Sequence, residues 1–186
     1  PQQIGKLLSC FDNSRGSYQV NYCMWLMWWT LARPAEATEA EWTEFDLNNA
    51  LWTIPAARMK ARREHVIPLP FQAVKMLRTL QGLTGHRQHL FPGRDNPLGP
   101  MTSHSLRQLL KSLGWSGIYS PHATRTTGST RLNEMGYRPD AIEAQLAHAD
   151  TNNVRRTYNH ATYLDERKVM MQEWADMLEK WVAGFK

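Results

Sequence analysis

Six polar side chains, widely separated along the 186-residue chain, are of the types needed to break a phosphodiester bond: Arg33, Lys60, His122, Arg125, His148 and Tyr158. Arginine and lysine supply cations for a phosphate, histidine transfers protons, and tyrosine offers a phenolic nucleophile. This combination favours the cutting of a DNA backbone by direct attack of a tyrosine. Each residue alone indicates little, so the elements that position them decide whether this interpretation holds.

The strongest local signal is the pair His122 and Arg125 in His122-Ala123-Thr124-Arg125. Residues at positions i and i+3 of a helix share one face, so both side chains can reach the same phosphate. An arbitrary His-x-x-Arg pair is more often part of a solvated helix surface. Here His148 and Tyr158 follow in a segment dense in arginine, which favours the phosphate-binding interpretation.

Arg33 directly follows the most apolar run of the chain, which predicts an arginine anchored at a helix end beside the core. The helix macrodipole also favours a cation at that position, so position alone leaves both interpretations open. Lys60 lies in a basic segment, 56–64, and lysines on such loops are usually only solvated. Glu36 either braces an active-site arginine or histidine or serves as a helix N-terminal carboxylate.

Composition limits the fold and its partners. A chain of 186 residues, 42% of them hydrophobic, supports one compact domain and is too short for two ordinary ones. The net charge of +5 favours an anionic partner only modestly. Cys10 and Cys23 suit neither a disulfide framework nor a four-cysteine zinc site, which favours reduced thiols in a cytosolic protein. The longest apolar stretch, 22–31, is about half as long as a membrane-spanning helix, so we expect a buried core helix and no membrane contact.

Hydrophobic periodicity predicts an α+β fold that is predominantly helical, with a small three-stranded antiparallel sheet near its N-terminal part. Helices are predicted at 19–31, from 34 or 35, at 72–80, 103–113, from 121, and at 140–146, 152–158 and 164–182. Strands are predicted at 42–47, 51–54 and 65–69. Asn48 and Asn49 provide the first turn, segment 56–64 provides the next connection, and 81–100 is predicted to be irregular.

Short motifs follow one another in order along the chain. They are Arg33-Pro34-x-Glu36, Trp42-x-x-x-Asp46, Leu51-Trp52-x-Ile54-Pro55-Ala56-x-Arg58-Met59-Lys60, His65-Val66-x-Pro68-Leu69, Leu90-Phe91-Pro92, His122-x-x-Arg125, Gln145-Leu146-Ala147-His148, Tyr158-Asn159 and Met170-Met171-x-x-Trp174-Ala175-Asp176. In this order and spacing, the chain resembles the catalytic domain of the tyrosine recombinases, the phage-type integrases. It is most similar to the integrases of prophages and genomic islands.

Three departures from the family pattern leave every charged and nucleophilic group in place. Ala35 stands where glycine is common, Ala123-Thr124 replaces the usual pair between His122 and Arg125, and Ala149 follows His148 where glycine is frequent. Tyr163 is a rival nucleophile five residues after Tyr158. The resemblance favours Tyr158, because Tyr163 matches a non-catalytic position before the closing helix.

The resemblance implies that residues 1–186 form a tyrosine recombinase catalytic domain, as a fragment from which N-terminal core-binding and arm-binding domains are absent. Arg33 and Arg125 would clamp the scissile phosphate, and Tyr158 would form a 3′-phosphotyrosyl DNA intermediate. Lys60 would protonate the leaving 5′ oxygen, His122 would assist proton transfer at Tyr158, and His148 would donate a hydrogen bond to the phosphate. Strand exchange of this kind needs no cofactor, no metal and no ATP.

The partners implied are double-stranded DNA attachment sites, a homotetramer in the full-length synaptic complex, and DNA-bending and directionality factors. The expected location is the bacterial cytoplasm, in association with DNA. Three rival functions remain open. One is a metal-dependent nuclease or phosphatase that uses His86, His89 or His104 with Asp95. The others are a basic DNA-binding module without catalysis and a type IB topoisomerase that relaxes supercoils.

Overall fold

The computed structural model describes residues 1–12, 14, 16–148 and 163–185, and it confirms a predominantly helical α+β fold. Within these ranges the helices are α1 (Gln2–Asp12), α2 (Tyr18–Thr30), α3 (Pro34–Thr38), α4 (Phe71–Thr84), α5 (Ser103–Ser112), α6 (Ala123–Glu134), α7 (Pro139–Gln145) and α8 (Leu164–Ala183). The strands are β1 (Phe45–Asp46), β2 (Leu51–Ile54) and β3 (His65–Pro68). They form one antiparallel sheet in the order β1-β2-β3.

Helix α2 is the centre of the fold because it is apolar on every face and has to be surrounded. Every residue from Cys23 to Thr30 is buried, and α1, α3, α4, α5, α6 and α8 all contact this helix. The indole of Trp28 stacks between the rings of Tyr119 and Trp174, whose centroids lie 5.7 and 6.2 Å away. Among the described residues, no helix has the length and apolar character needed to cross a membrane.

The sheet confirms the predicted hairpin but is shorter than expected. The Asp46 carboxylate accepts hydrogen bonds from the backbone N–H groups of Asn48 and Asn49, at 3.1 and 3.0 Å, and so closes the predicted turn. Residues 42–44 form a 3₁₀ turn instead of a strand. The cause is a tertiary contact, since the Trp42 indole N–H donates to the Thr84 carbonyl at the end of α4, at 2.9 Å.

Helix α1 is absent from the sequence prediction, although Ile4, Leu7, Leu8 and Phe11 have helical spacing. It packs against α8 and buries the last three of these side chains. The irregular connection begins later than predicted, because α4 continues to Thr84. The predicted helix at 152–158 lies outside the described residues.

Two helical glycines provide a matched test of packing beside α2. A Cβ added to Gly128 in α6 would lie 2.4 Å from Cδ2 of Leu31, a fully buried side chain, whereas a Cβ on Gly82 in α4 would meet nothing within 4 Å. We expect Gly128→Ala to lower the free energy of unfolding by about 1–3 kcal/mol through overpacking. Gly82→Ala is expected to raise it by about 0.5–1 kcal/mol. Urea unfolding of both variants checks this, and equal shifts would contradict it.

Candidate active site

Arg125 is held at the meeting point of two helix C-termini. Its Nη1 donates to the carbonyl of Leu31, the residue after α2, at 2.6 Å, and its Nη2 donates to the carbonyl of Leu146, the residue after α7, at 2.5 Å. The last carbonyls of a helix have no partner within the helix and carry partial negative charge. A guanidinium satisfies both ends at once, so the backbone fixes the position of this side chain.

His148 joins the same group. Its Nε2 lies 3.3 Å from Nη2 of Arg125, and its Nδ1 lies 2.7 Å from the Glu143 carboxylate. In the neutral tautomer that these partners select, Nδ1–H donates to Glu143 and Nε2 accepts from Arg125. Ala147 turns the chain back at the end of α7 with a left-handed φ of 48°, which is strained for a residue with a Cβ.

Arg33 and Glu36 form a reciprocal pair at the start of α3. The Arg33 Nη1 donates to one Glu36 oxygen at 2.7 Å, and the Arg33 backbone N–H donates to the other at 2.7 Å. The Arg33 side chain is 27% exposed and that of Glu36 is 6% exposed. The Glu36 carboxylate therefore braces Arg33 and also caps the helix N-terminus, whereas the catalytic role of Arg33 stays a prediction.

The two arginines are close enough to influence each other electrostatically. The pKa of Arg125 is lowered to about 10, first by burial and then by the charge of Arg33, against the opposing effects of Glu36 and Glu143. A partly open surface that presents two neighbouring guanidinium groups suits a phosphate, because their forked N–H donors match its oxygens.

Lys60 is exposed on the connection between β2 and β3, and a buried ion pair fixes the base of that connection. Arg58 pairs with the Glu44 carboxylate and also donates to the Glu36 carbonyl at 2.8 Å. The Trp52 indole N–H donates to the second Glu44 oxygen at 2.9 Å. Arg58 therefore attaches this connection to α3, the helix that begins directly after Arg33, and Lys60 follows Arg58 by two residues.

His122 and Tyr158 have different outcomes. His122 is exposed and is the residue immediately before α6, which begins at Ala123 after a turn closed by the Ala123 N–H and the Ser120 carbonyl at 2.9 Å. The expectation that His122 lies within the helix of Arg125 is therefore wrong by one residue, and the two differ in burial. Tyr158 lies outside the described residues.

Sequence reasoning did not select three buried polar residues that adjoin this group: His65, Gln145 and Arg167. The His65 Nε2–H donates to the Gln145 carbonyl at 3.1 Å. Burial lowers the pKa of His65 to about 4, and the charge of Arg167 contributes in the same direction. A polar residue in a strand pattern was the only available signal for His65. The described residues contain no group of three His, Cys, Asp or Glu side chains arranged to hold a metal ion.

The ion pair between Arg58 and Glu44 should stabilise the connection that carries Lys60. The Glu44 side chain is 5% exposed and that of Arg58 is 15% exposed, so Glu44→Ala leaves a largely buried guanidinium without its counter-charge. We expect the change to lower the free energy of unfolding by about 3 kcal/mol. The change should also speed trypsin cleavage at 58–63. The matched control is Glu134→Ala, which removes the exposed partner of Arg131 and is expected to cost less than about 1 kcal/mol. Urea unfolding measures both variants, and similar losses of unfolding free energy for Glu44→Ala and Glu134→Ala would contradict a stabilising role of the Arg58–Glu44 pair.

The buried neutral His65 predicts a pH dependence of stability. Its pKa falls from 6.5 to about 4 on folding, so the unfolded chain binds a proton that the folded protein excludes. The stabilising effect is complete above pH 6.5 and is lost as the pH falls towards 4, at a cost of about 3 kcal/mol at most. Urea unfolding between these pH values should show a shallower fall for His65→Gln than for the wild type. Parallel curves for the two proteins would argue against this role.

Comparison with known proteins identifies the family and the fold of the chain. The profile of the Phage integrase family matches residues 1–164. Prophage integrase IntA of Escherichia coli (strain K12) is 42% identical over 179 residues, which cover 96% of this chain and 43% of that protein. The chain spans less than half the length of the curated relatives it matches.

Solved structures share the fold at low sequence identity. The integrase from mycobacterium phage Brujita has a TM-score of 0.68 and 17% identity, covering 96% of this chain and 61% of that one. The Tn1549 transposon integrase, solved in complex with circular intermediate DNA, has a TM-score of 0.62 and 20% identity, covering 91% of this chain and 63% of that one. These similarities establish the architecture of the described helices and sheet.

Proposed function

Because the chain belongs to the phage integrase family, we propose that it is the catalytic domain of a tyrosine recombinase that breaks and rejoins DNA at specific sites. The proposal treats the chain as the catalytic part of the longer relatives that it matches. The observation that carries it is the arrangement of Arg33 and Arg125, two neighbouring cations held by a carboxylate and by two backbone carbonyls.

The proposed reaction conserves the number of phosphoester bonds and therefore needs no external energy source. The phenolic oxygen of Tyr158 attacks the scissile phosphorus, and the bond from phosphorus to the 5′ oxygen breaks. The phenolic proton leaves with the help of His122, and Lys60 supplies the proton for the departing 5′ oxygen. One phosphoester bond replaces another, so a 5′-hydroxyl of a second strand can attack the 3′-phosphotyrosyl bond and release Tyr158. Neither ATP nor a metal ion is needed for this exchange.

Each remaining residue has a part consistent with its surroundings. Arg33 and Arg125 bind the non-bridging oxygens, where negative charge grows in the transition state. His148 donates a hydrogen bond to the same phosphate, and the Glu143 carboxylate, 2.7 Å from Nδ1, fixes the orientation of its ring. The 3.3 Å contact between His148 and Arg125 supports a shared role of the two groups at one phosphate.

The partners follow from the family and from the similar structures solved with DNA. We propose that the substrate is a double-stranded attachment site, that four protomers act together on two duplexes, and that DNA-bending and directionality factors assist. The reaction then takes place on DNA in the bacterial cytoplasm. The basic segment 56–64 and the arginines at 155 and 156 add cations for the backbone.

Covalent trapping tests the nucleophile directly. The chain is incubated with a library of nicked duplexes of randomised core sequence, and DNA that remains linked to protein after denaturation is recovered and sequenced. We expect 3′-linked DNA from the wild type and from Tyr163→Phe, and none from Tyr158→Phe. Filter binding should show that Tyr158→Phe retains its affinity for DNA, because the lost hydroxyl acts in the reaction and not in association.

The other outcomes separate the rival functions. Linkage that survives in Tyr158→Phe and disappears in Tyr163→Phe would identify Tyr163 as the nucleophile. Cleavage that stops in chelator would support a metal-dependent nuclease. Binding without linkage in any variant would support a non-catalytic DNA-binding module, and relaxation of supercoiled plasmid without exchange between duplexes would support a topoisomerase.

A further inference from the structure

Gln145 is a buried amide, 1% exposed, that joins four elements at the end of α7. Its Nε2 donates to the Thr30 carbonyl of α2 at 2.7 Å, and its Oε1 accepts from Nε of Arg167 in α8 at 2.9 Å. Its backbone carbonyl accepts from His65 in β3 at 3.1 Å. Every polar group of the side chain is therefore used for a long-range contact.

Arg167 anchors this amide from the first turn of α8. The side chain is 2% exposed, and its Nη2 donates to the Val66 carbonyl at 2.7 Å. Burying a guanidinium costs several kcal/mol after relaxation, and an apolar side chain of similar volume is often at least as stabilising at such a position. A guanidinium at this position indicates that the orientation of Gln145 matters, because an apolar side chain could not form directional hydrogen bonds with it.

The bond between Gln145 and Thr30 has a direct consequence for Arg125. The two carbonyls that hold Arg125 belong to Leu31 and Leu146, and each is the residue directly after a partner in that bond. The hydrogen bond from Gln145 to Thr30 therefore ties the two helix ends together one residue before each carbonyl that holds Arg125. The guanidinium of Arg125 bridges the two carbonyls with two N–H donors.

We propose that Gln145, oriented by Arg167, is a positioning residue that sets the Leu31 and Leu146 carbonyls so that Arg125 faces the scissile phosphate. The role rests on the proposed strand-cleavage function, and it is separate from any contact with DNA. Because Gln145 acts through Arg125, its loss changes the rate of the chemical step and leaves DNA affinity nearly constant.

Two substitutions test separately the hydrogen bond from Gln145 to Thr30 and the hydrogen bond from Arg167 to Gln145. Gln145→Glu keeps an acceptor for Arg167 but faces the Thr30 carbonyl with an oxygen instead of an N–H donor. Arg167→Lys keeps the charge but removes the fork that reaches Gln145 and Val66 together. A misplacement of about 1 Å in an active site can cost about 10²-fold in rate. We expect each variant to slow covalent trapping by about 10–10²-fold, with a dissociation constant for DNA within about threefold of the wild type.

The matched control is Thr84→Val. It removes a buried side-chain hydrogen bond to a backbone carbonyl, from the Thr84 hydroxyl to Leu90 at 3.0 Å, away from the candidate site. All rates are divided by the folded fraction measured by urea unfolding, so a loss of folded protein does not count as a loss of rate. We expect Thr84→Val to trap DNA at the wild-type rate.

A neutral scissile group distinguishes an effect through Arg125 from general loosening. A methylphosphonate at the cleavage position replaces one charged non-bridging oxygen by a methyl group, so the reaction depends less on the guanidinium. The defect of Gln145→Glu should shrink on this substrate at least tenfold relative to its defect on phosphate. A defect of equal size on both substrates would overturn the proposal, as would wild-type trapping by Gln145→Glu on phosphate.

Nitrogen-15 NMR of the Arg125 side chain tests the geometry without DNA. In the wild type, the two Nη groups bound to carbonyls should give separate signals, because their rotation is hindered. Gln145→Glu should merge or broaden them, whereas Thr84→Val should not. Unchanged Arg125 signals in Gln145→Glu would overturn the positioning role, even if the wild-type protein traps DNA. Absence of linked DNA from the wild type would instead count against the proposed function, so the two failures are distinguishable.

Discussion

The fold depends on satisfying the carbonyl groups at the buried C-terminus of α2. An apolar helix that ends inside the protein leaves its last carbonyls without water, and unpaired buried carbonyls are costly. Side chains from three later helices meet this need: the Trp174 indole donates to Trp28, the Gln145 amide donates to Thr30, and the Arg125 guanidinium donates to Leu31. The Leu31 N–H closes the remaining turn on Met27 at 2.8 Å. The helix end therefore determines where α6, α7 and α8 must lie.

The same contacts connect stability with chemistry. Arg125 satisfies the carbonyl of Leu31 with one nitrogen and that of Leu146 with the other, so one side chain of the candidate site also stabilises two helix ends. Local strain accompanies this arrangement, since Leu31 and Ala147 both have left-handed backbone angles, with φ of 56° and 48°. Non-glycine residues adopt this conformation at a cost and persist there when surrounding contacts fix them. The strain lies at the two turns that present carbonyls and His148 to the candidate site.

Local patterns in the sequence were sufficient for the hairpin and for the helices around α2 other than α1. Arg33 was predicted at a helix end beside the core, and it lies three residues after α2 ends at Thr30. The contacts that position the site could not be predicted in the same way, because they join residues far apart in the chain. Gln145 bonds to Thr30, and Arg167 bonds to Val66, so neither periodicity nor spacing contains a signal for them. The burial of His65 likewise results from the contact of β3 with α8 and from its hydrogen bond to Gln145, and not from the pattern of β3.

The electrostatics of the candidate site explain how its two cations are held together in the folded protein. Arg33 and Arg125 repel each other in the absence of an anion, and that repulsion contributes to the lowered pKa of Arg125. Two carboxylates, Glu36 and Glu143, and two helix C-termini offset the repulsion within the folded protein. A phosphate placed between the guanidinium groups turns mutual repulsion into shared attraction. Folding thereby bears the cost of ordering the charges, and in the proposed reaction little reorganisation is left for the step in which negative charge grows on the phosphate.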